Sequence, residues 1–204
     1  MSTKTPAPAD LGDALPLPTP SPELRLRLAQ RRSAPAQALT APGPTGAEIA
    51  EILTLGARTP DHGKLFPWRF VVMGPQSRDT VAERLAALAV AKGLPGKAQA
   101  VLAKLVNPPL SILVISTPVA GAKPVWEQQL SAGAVCMNLS HAAGAFGYSA
   151  SWITDWYSYD PDALALFGVI DREAVAGFVH IGTTTEAPLE RPRPDLADRV
   201  TTLP

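Results

Sequence analysis

The sequence predicts a single layered domain in which helices pack against a sheet. Three observations carry that expectation. Runs rich in β-branched and aromatic residues, bounded by Pro or Gly, alternate with segments bearing helix-start signals. Apolar residues make up 46% of the 204-residue chain, enough for one sizeable core. The stretch from Leu130 to Thr154 runs for 25 residues without an Asp, Glu, Lys or Arg, which marks a segment sealed from water.

In chain order, residues 1–20 hold Pro6, Pro8, Pro16, Pro18 and Pro20 and no aromatic residue. They cannot bury enough apolar area to offset their ordering entropy, so a disordered or loosely draped arm is expected. Ser21-Pro22-Glu23 supplies a capping residue, a first-turn proline and a first-turn acid. The helix it opens passes Leu24, Leu26 and Leu28 and ends near Arg31. Thr45-Gly46-Ala47-Glu48 is a capping box for a helix with Ile49, Ile52, Leu53 and Ala57 on its apolar side. Trp68–Met73 reads as a strand and Ser77–Lys92 as a helix using Val81, Leu85, Leu88 and Ala89. Leu110–Ser116 is a second strand. A helix over about Val125–Ala145 follows, buried on most sides, running into a strand over Ser149–Thr154. Asp160-Pro161 opens a short helix that ends at Gly168, and Ala174–Ile181 completes the strands. Residues 21–187 thus form the domain, with 188–204 an extended C-terminal arm belonging to it. Strand order is left open.

Composition narrows the function. Lys plus Arg and Asp plus Glu are both 18, which argues against nucleic acid or an anionic membrane surface as the main partner. The single Cys excludes a disulfide framework and fits a reducing compartment. The chain opens without a charged, apolar, small-residue export signal, so a cytoplasmic protein is expected. The uncharged run is long enough to span a bilayer. Ser131, Asn138, Ser140, His141 and three glycines within it argue instead for a central helix. A helix apolar all round is buried in its fold or covered by a partner subunit, and at this chain length a dimer interface is the natural cover.

Familiar catalytic spacings are missing. His62, His141 and His180 do not have metal-ligand spacing, and Cys136 reads as a small buried hydrophobe. Neither G-x-G-x-x-G nor a P-loop occurs. Gly147-Tyr148-Ser149-Ala150-Ser151 approaches a nucleophile elbow but lacks the final glycine, so a serine hydrolase using Ser149 is a minor alternative. Three other features suggest a ligand. Arg31-Arg32-Ser33 offers guanidinium forks and a hydroxyl suited to phosphate, although cations at a helix C-terminus also favour the dipole. Thr59 to Trp68 is a loop with polar, cationic and aromatic groups between prolines. Phe146, Tyr148, Trp152, Trp156, Tyr157 and Tyr159 crowd one short stretch, close enough in sequence to sandwich a flat ligand.

Arg31-Arg32-Ser33, Pro60-Asp61-His62 followed by Pro67-Trp68, and Trp126-Glu127-Gln128 with Ser131-Ala132-Gly133 together resemble the nitroreductase family, in its short YdjA-like branch, over roughly residues 23–200. The resemblance implies an α+β three-layer sandwich, a mixed or antiparallel sheet flanked by helices, and an intertwined homodimer binding FMN between its subunits. It also implies two-electron reduction by NADH or NADPH of a small acceptor such as a nitroaromatic or a quinone, with no catalytic side chain beyond the flavin. In that family's pattern Arg31, Arg32 and Ser33 hold the FMN phosphate, ribityl chain and ring edge. His62, Lys64 and Phe66 lie on the loop reaching the flavin from the partner. Ser151, Trp152 and Ile153 pass one face of the ring, and Arg191 and Arg193 reach the phosphate. Two positions depart from it: relatives commonly have Gln where Phe66 stands, and Arg after the Trp where Ile153 stands. Both replace a polar contact by an apolar one, which motivates a second reading as a flavin- or ligand-binding protein of this fold without turnover.

Overall fold

Side-chain caps build the helix starts that the sequence marks. In the computed structural model, which describes residues 5–121 and 123–203, Ser21 Oγ accepts from Leu24 N at 3.2 Å and starts α1 (Pro22–Gln30). Thr45 and Glu48 cap each other, with Thr45 N donating to Glu48 Oε2 at 2.7 Å, and start α2 (Gly46–Gly56). Strand β1 (Trp68–Met73) leads into α3 (Pro75–Ala91), which begins two residues earlier than expected because Pro75 takes its first turn. Two helices of one turn or so, α4 (Gly96–Ala100) and α5 (Ala103–Val106), carry no side-chain cap and are too short for periodicity to reveal. Strand β2 (Leu110–Ser116) precedes α6 (Val125–Ala145), which has the expected bounds. Strand β3 (Ser149–Ile153), α7 (Pro161–Leu166), capped by Asp160, and β4 (Ala174–Gly182) complete the domain.

The four strands form one antiparallel sheet in the order β1-β2-β4-β3. Helices cover both faces, so the fold is an α+β sandwich. Alternation along β2 sends Ile112 and Val114 to one face and Leu113 and Ile115 to the other. On the first face α2 and α6 close a core of Ile52, Val135, Leu139, Val179 and Ile181. On the second, α3, α5 and α7 close one of Leu85, Leu105, Tyr157, Ala163 and Phe178. Gly56 lets α2 lie flush on α6: a Cβ there would stand 2.5 Å from Leu139 Cδ2. Residues 6–20 are exposed and carry no helix or strand.

Two expectations change. Within one chain α6 buries a single face, through Gln128, Ser131, Ala132, Val135, Cys136, Leu139, Ala142 and Ala143. Trp126 and Leu130 are 68% and 53% exposed, so the absence of charge along this helix is not explained by the chain's own core. The aromatic cluster does not form a ligand sandwich either. Phe146 and Tyr148 pack on the α6 side, while Trp156 and Tyr157 turn through the sheet end into the opposite core, where Tyr157 meets Phe178 edge-on at 5.3 Å. Strand β3 lies between the two pairs and carries the chain from one to the other.

His180 is a core residue: its Nδ1 lies 2.7 Å from Ser111 Oγ, Nε2 has no partner, and burial lowers its pKa to about 3, with the Arg78 and Lys104 charges adding to the shift. Gly177 sits at a bulge, since Val114 pairs with it and Ile115 already pairs with Val175. Its φ is 153°, and a Cβ would lie 2.1 Å from Trp152 Nε1.

Gly177→Ala should therefore destabilise the fold by about 2–4 kcal/mol through overpacking and backbone strain. Thermal unfolding followed by circular dichroism should show a midpoint lower by roughly 5–12 °C. Cys136 is fully buried, and burial raises its thiol pKa to about 12. A thiol reagent such as dithionitrobenzoate should leave the native protein unmodified at pH 8 and modify one thiol per chain once guanidinium unfolds it.

Candidate functional site

Where α1 ends, Arg31 takes an extended conformation and the chain runs along the end of the sheet. Ala34 N donates to Ala150 O at 3.2 Å, and Thr40 and Thr183 exchange backbone hydrogen bonds of 2.9 Å in both directions. These contacts place Arg31-Arg32-Ser33 beside the start of β3 and under residues 188–190. Arg31 Nη1 donates to Ser33 Oγ at 3.4 Å, and Arg32 donates to Leu189 O. Arg193 Nη2 donates to Arg31 O at 3.2 Å and to Glu190 Oε1 at 3.0 Å, while Arg32 Nη1 is 4.0 Å from the same carboxylate oxygen. Glu190 is held below the usual carboxylate range by the Arg191 backbone N–H first and by the Arg193 and Arg32 charges next.

Two adjoining clefts flank this segment and share Arg32, Ser33 and Pro188. One, of about 760 Å³, lies between residues 32–38 and the arm at 184–190. The other, of about 430 Å³, is walled by Arg27, Arg31, Ser140, Tyr148, Ser149 and Ala150 among others. Arg27 occupies the space over Gly144, where a Cβ would fall 1.2 Å from Nη2. His141, on the same end of α6, has its pKa lowered by burial first and by the Arg27 and Arg31 charges second. Tyr148 OH donates to Glu48 Oε2 at 3.0 Å, fixing the cleft wall to α2.

Strand β3 is an edge strand that pairs only with β4. The Ala150 carbonyl faces away from β4, towards Ala34. Residues two apart point their backbone groups to the same side, so the Trp152 N–H lies on this open edge and that of Ile153 does not. The Trp152 indole donates to Ala176 O at 3.1 Å and packs on Gly133 and Gly177. Ser151 is buried opposite His180, and Ile153 is half-buried. Ser149 hydrogen-bonds to no histidine among the described residues, so the base a serine nucleophile needs is not in place.

The loop after α2 is the second locus. Asn138 Nδ2 donates to Thr59 Oγ1 at 2.7 Å and Ser131 Oγ to Pro60 O at 2.9 Å, tying the loop to α6. Asp61 Oδ2 accepts from Leu65 N at 2.5 Å and Phe66 N at 3.3 Å, which holds Lys64 and Phe66 at φ of 57° and 47°. His62 Nδ1 lies 2.6 Å from Glu127 Oε2. Phe66 is 63% exposed.

The chain thus gathers Arg31, Arg32, Ser33 and Arg193 at one end of α6, near Gly144. His62, Lys64 and Phe66 lie at the other end, near Glu127. The axial separation of Glu127 and Gly144 is about 25 Å at 1.5 Å per residue, so one chain does not bring the two groups together. Arg191 stands on the arm, and no hydrogen bond or ion pair among the described residues uses its guanidinium. Sequence reasoning missed Arg27, Glu127 and Glu190. Arg27 is one helical turn before Arg31, a spacing that puts both on one face. The Glu127–His62 pair spans 65 residues and has no local signal.

Comparison with known proteins identifies the family and the fold. The Nitroreductase family model matches residues 28–183. The Escherichia coli (strain K12) protein YdjA, named for NAD(P)H nitroreductase activity, is 34% identical over 158 residues, which is 75% of this chain and 84% of YdjA. A nitroreductase-like family protein from Bacillus cereus superposes with a TM-score of 0.76 at 18% identity, covering 93% of this chain and 99% of its own. A nitroreductase from Desulfovibrio desulfuricans solved in complex with FMN superposes with a TM-score of 0.70 at 20% identity, covering 91% and 99%. The chain belongs to the Nitroreductase family.

Proposed function

We propose that this protein is an FMN-dependent NAD(P)H oxidoreductase that reduces small acceptors such as nitroaromatics or quinones. In this reading it acts in the cytoplasm as a homodimer, and reductant and acceptor occupy the same cleft in turn. The observation that carries the proposal is the gathering of Arg31, Arg32 and the Ser33 hydroxyl at two adjoining clefts beside an open strand edge, with Arg193 bonded to the Arg31 carbonyl. That donor set fits a phosphate monoester, for which guanidinium forks and a hydroxyl are the preferred partners. The space beside it accommodates a planar ring system.

When bound, FMN supplies a ring nitrogen that accepts and returns a hydride. The chain's own groups bind and orient. Arg31, Arg32, Ser33, Arg191 and Arg193 hold the phosphate and ribityl chain, and Ser151-Trp152-Ile153 lies along the ring, with the Trp152 N–H free to donate to it. His62, Lys64 and Phe66 approach from the partner subunit.

Support for the dimer comes from α6. Its outward face carries Trp126 and Leu130 and no charge from residue 130 onward. Antiparallel pairing of two copies of α6, about a two-fold axis perpendicular to the helix, would set the His62 end of one beside the Arg31 end of the other. No helix among the described residues is long and apolar enough to cross a membrane.

One charge-assisted contact is worth about 1.5–3 kcal/mol, so Arg31→Ala should weaken FMN binding about ten-fold or more, read as a Kd from flavin fluorescence quenching. Anaerobic NADPH should bleach the oxidised-flavin absorbance of the loaded protein. Binding with no bleaching would favour the second reading, a flavin-binding protein without turnover, which the apolar Phe66 and Ile153 motivate. Sedimentation equilibrium of the FMN-loaded protein should give twice the chain mass, and a single-chain mass with FMN bound would remove the interface argument.

A further inference from the structure

Glu127 has no part in the reading above, yet it controls the chemistry His62 presents. Its Oε2 lies 2.6 Å from His62 Nδ1. A carboxylate oxygen only accepts, so the hydrogen of this bond sits on Nδ1. A neutral ring then leaves Nε2 bare, as an acceptor, and no hydrogen bond among the described residues uses that atom. The loop beneath the ring is fixed independently, through Ser131 to Pro60 and Asn138 to Thr59. His62 and Glu127 together line a cleft of about 460 Å³ whose other walls include Pro60, Leu130, Ser131 and Ala134.

We propose that Glu127 is a positioning residue: by holding Nδ1–H it fixes the His62 tautomer and leaves Nε2 to accept a hydrogen bond from a ligand in this cleft. The wall chemistry selects a small molecule with an apolar face, for Pro60 and Ala134, and an N–H or O–H at its edge, for Nε2. A carboxamide-bearing or hydroxyl-bearing ring meets both demands. The assignment of that ligand as reductant or reduced acceptor depends on the function proposed above, whereas the tautomer does not.

Histidine-labelled full-length protein tests this by long-range nitrogen–proton NMR at pH 8.5, with and without added FMN, the His62 signals being assigned by their loss in H62A. Wild-type protein should carry the ring proton on Nδ1. Glu127→Ala should move it to Nε2, the tautomer that free imidazole side chains favour, and Glu127→Asp should restore it. Hydroquinone, used as the ligand probe, should shift the Nε2 resonance of wild-type protein, and its Kd should rise about five-fold in Glu127→Ala, the loss expected for one hydrogen bond. The same Glu127→Ala change made in H62A should add nothing. An unchanged tautomer in Glu127→Ala would overturn the proposal, as would a hydroquinone shift that the substitution leaves untouched. Failure of the wild-type protein to bind FMN would instead count against the proposed function while leaving the tautomer result in force.

Discussion

The contact between α6 and the elements laid across it sets the position of every candidate residue. Along its first two-thirds, Glu127, Ser131 and Asn138 reach out to His62, Pro60 and Thr59 and hold the loop after α2. At its middle, Gly133 receives the Trp152 ring, and Leu139 packs into the notch left by Gly56. At its C-terminal end, Gly144 receives Arg27. Gly133, Gly144 and, on α2, Gly56 allow close approach, so the helix acts as a ruler with a fixed spacing between its attachments. A charged or bulky residue at any of them would separate a site element from the core.

This arrangement accounts for the uneven charge of the chain. The run from Leu130 to Thr154 covers most of α6 and all of β3. One face of α6 is occupied by the domain's own core, and Ala150 of β3 packs against it. The remaining face of the helix leaves Trp126, Leu130, Ala134 and Ala145 exposed and carries no charge from residue 130 onward, a pattern that a lone chain in water has no reason to keep. Charge is concentrated instead where Arg31, Arg32, Arg193 and Glu190 meet. The acid in that group matters, because three guanidinium groups close together repel one another until an anion is present. Glu190 supplies a weak, solvent-screened counter-charge that a phosphate dianion would outcompete.

Much of this was legible in the sequence wherever the signal is local. Ser21, the Thr45–Glu48 box and Asp160 announce helices because a cap is a contact between residues two or three apart. The bounds of α6 were legible because it lies between Pro124 and Gly147. Helices α4 and α5 were not, since neither has a capping side chain nor enough turns to show a period. Strand order was illegible for a different reason: β4 enters between β2 and β3, a pairing that brings residue 111 opposite residue 180. The aromatic cluster misled because the chain leaves β3 after Ile153 and turns, so that Trp152 stays on the strand while Tyr157, in a one-turn helix, enters the opposite core. Arg31, Arg32 and Ser33 could be named as ligand residues, but that Arg193 returns across 162 residues to join them could not be read from spacing.

The separation of the two loci along α6 bears on how such a site is controlled. Within a chain, the guanidinium cluster and the His62 loop are about 25 Å apart, and rigid tethers hold each in place. The His62 loop cannot swing away without breaking its hydrogen bonds to α6, and the cluster's segment is tied to β3 through the bond from Ala34 N to Ala150 O. A ligand that needs both therefore needs two chains, and its affinity then depends on chain concentration as well as on its own. The same geometry makes the two loci independent within a protomer. In the proposed dimer a change at Arg31 would act on the cluster of its own chain, whereas a change at Glu127 would act, through His62, on the cluster of the neighbour. Mixed dimers carrying one substitution on each chain would then contain one site with both defects and one with neither, a pattern that two loci in the same chain's site cannot produce.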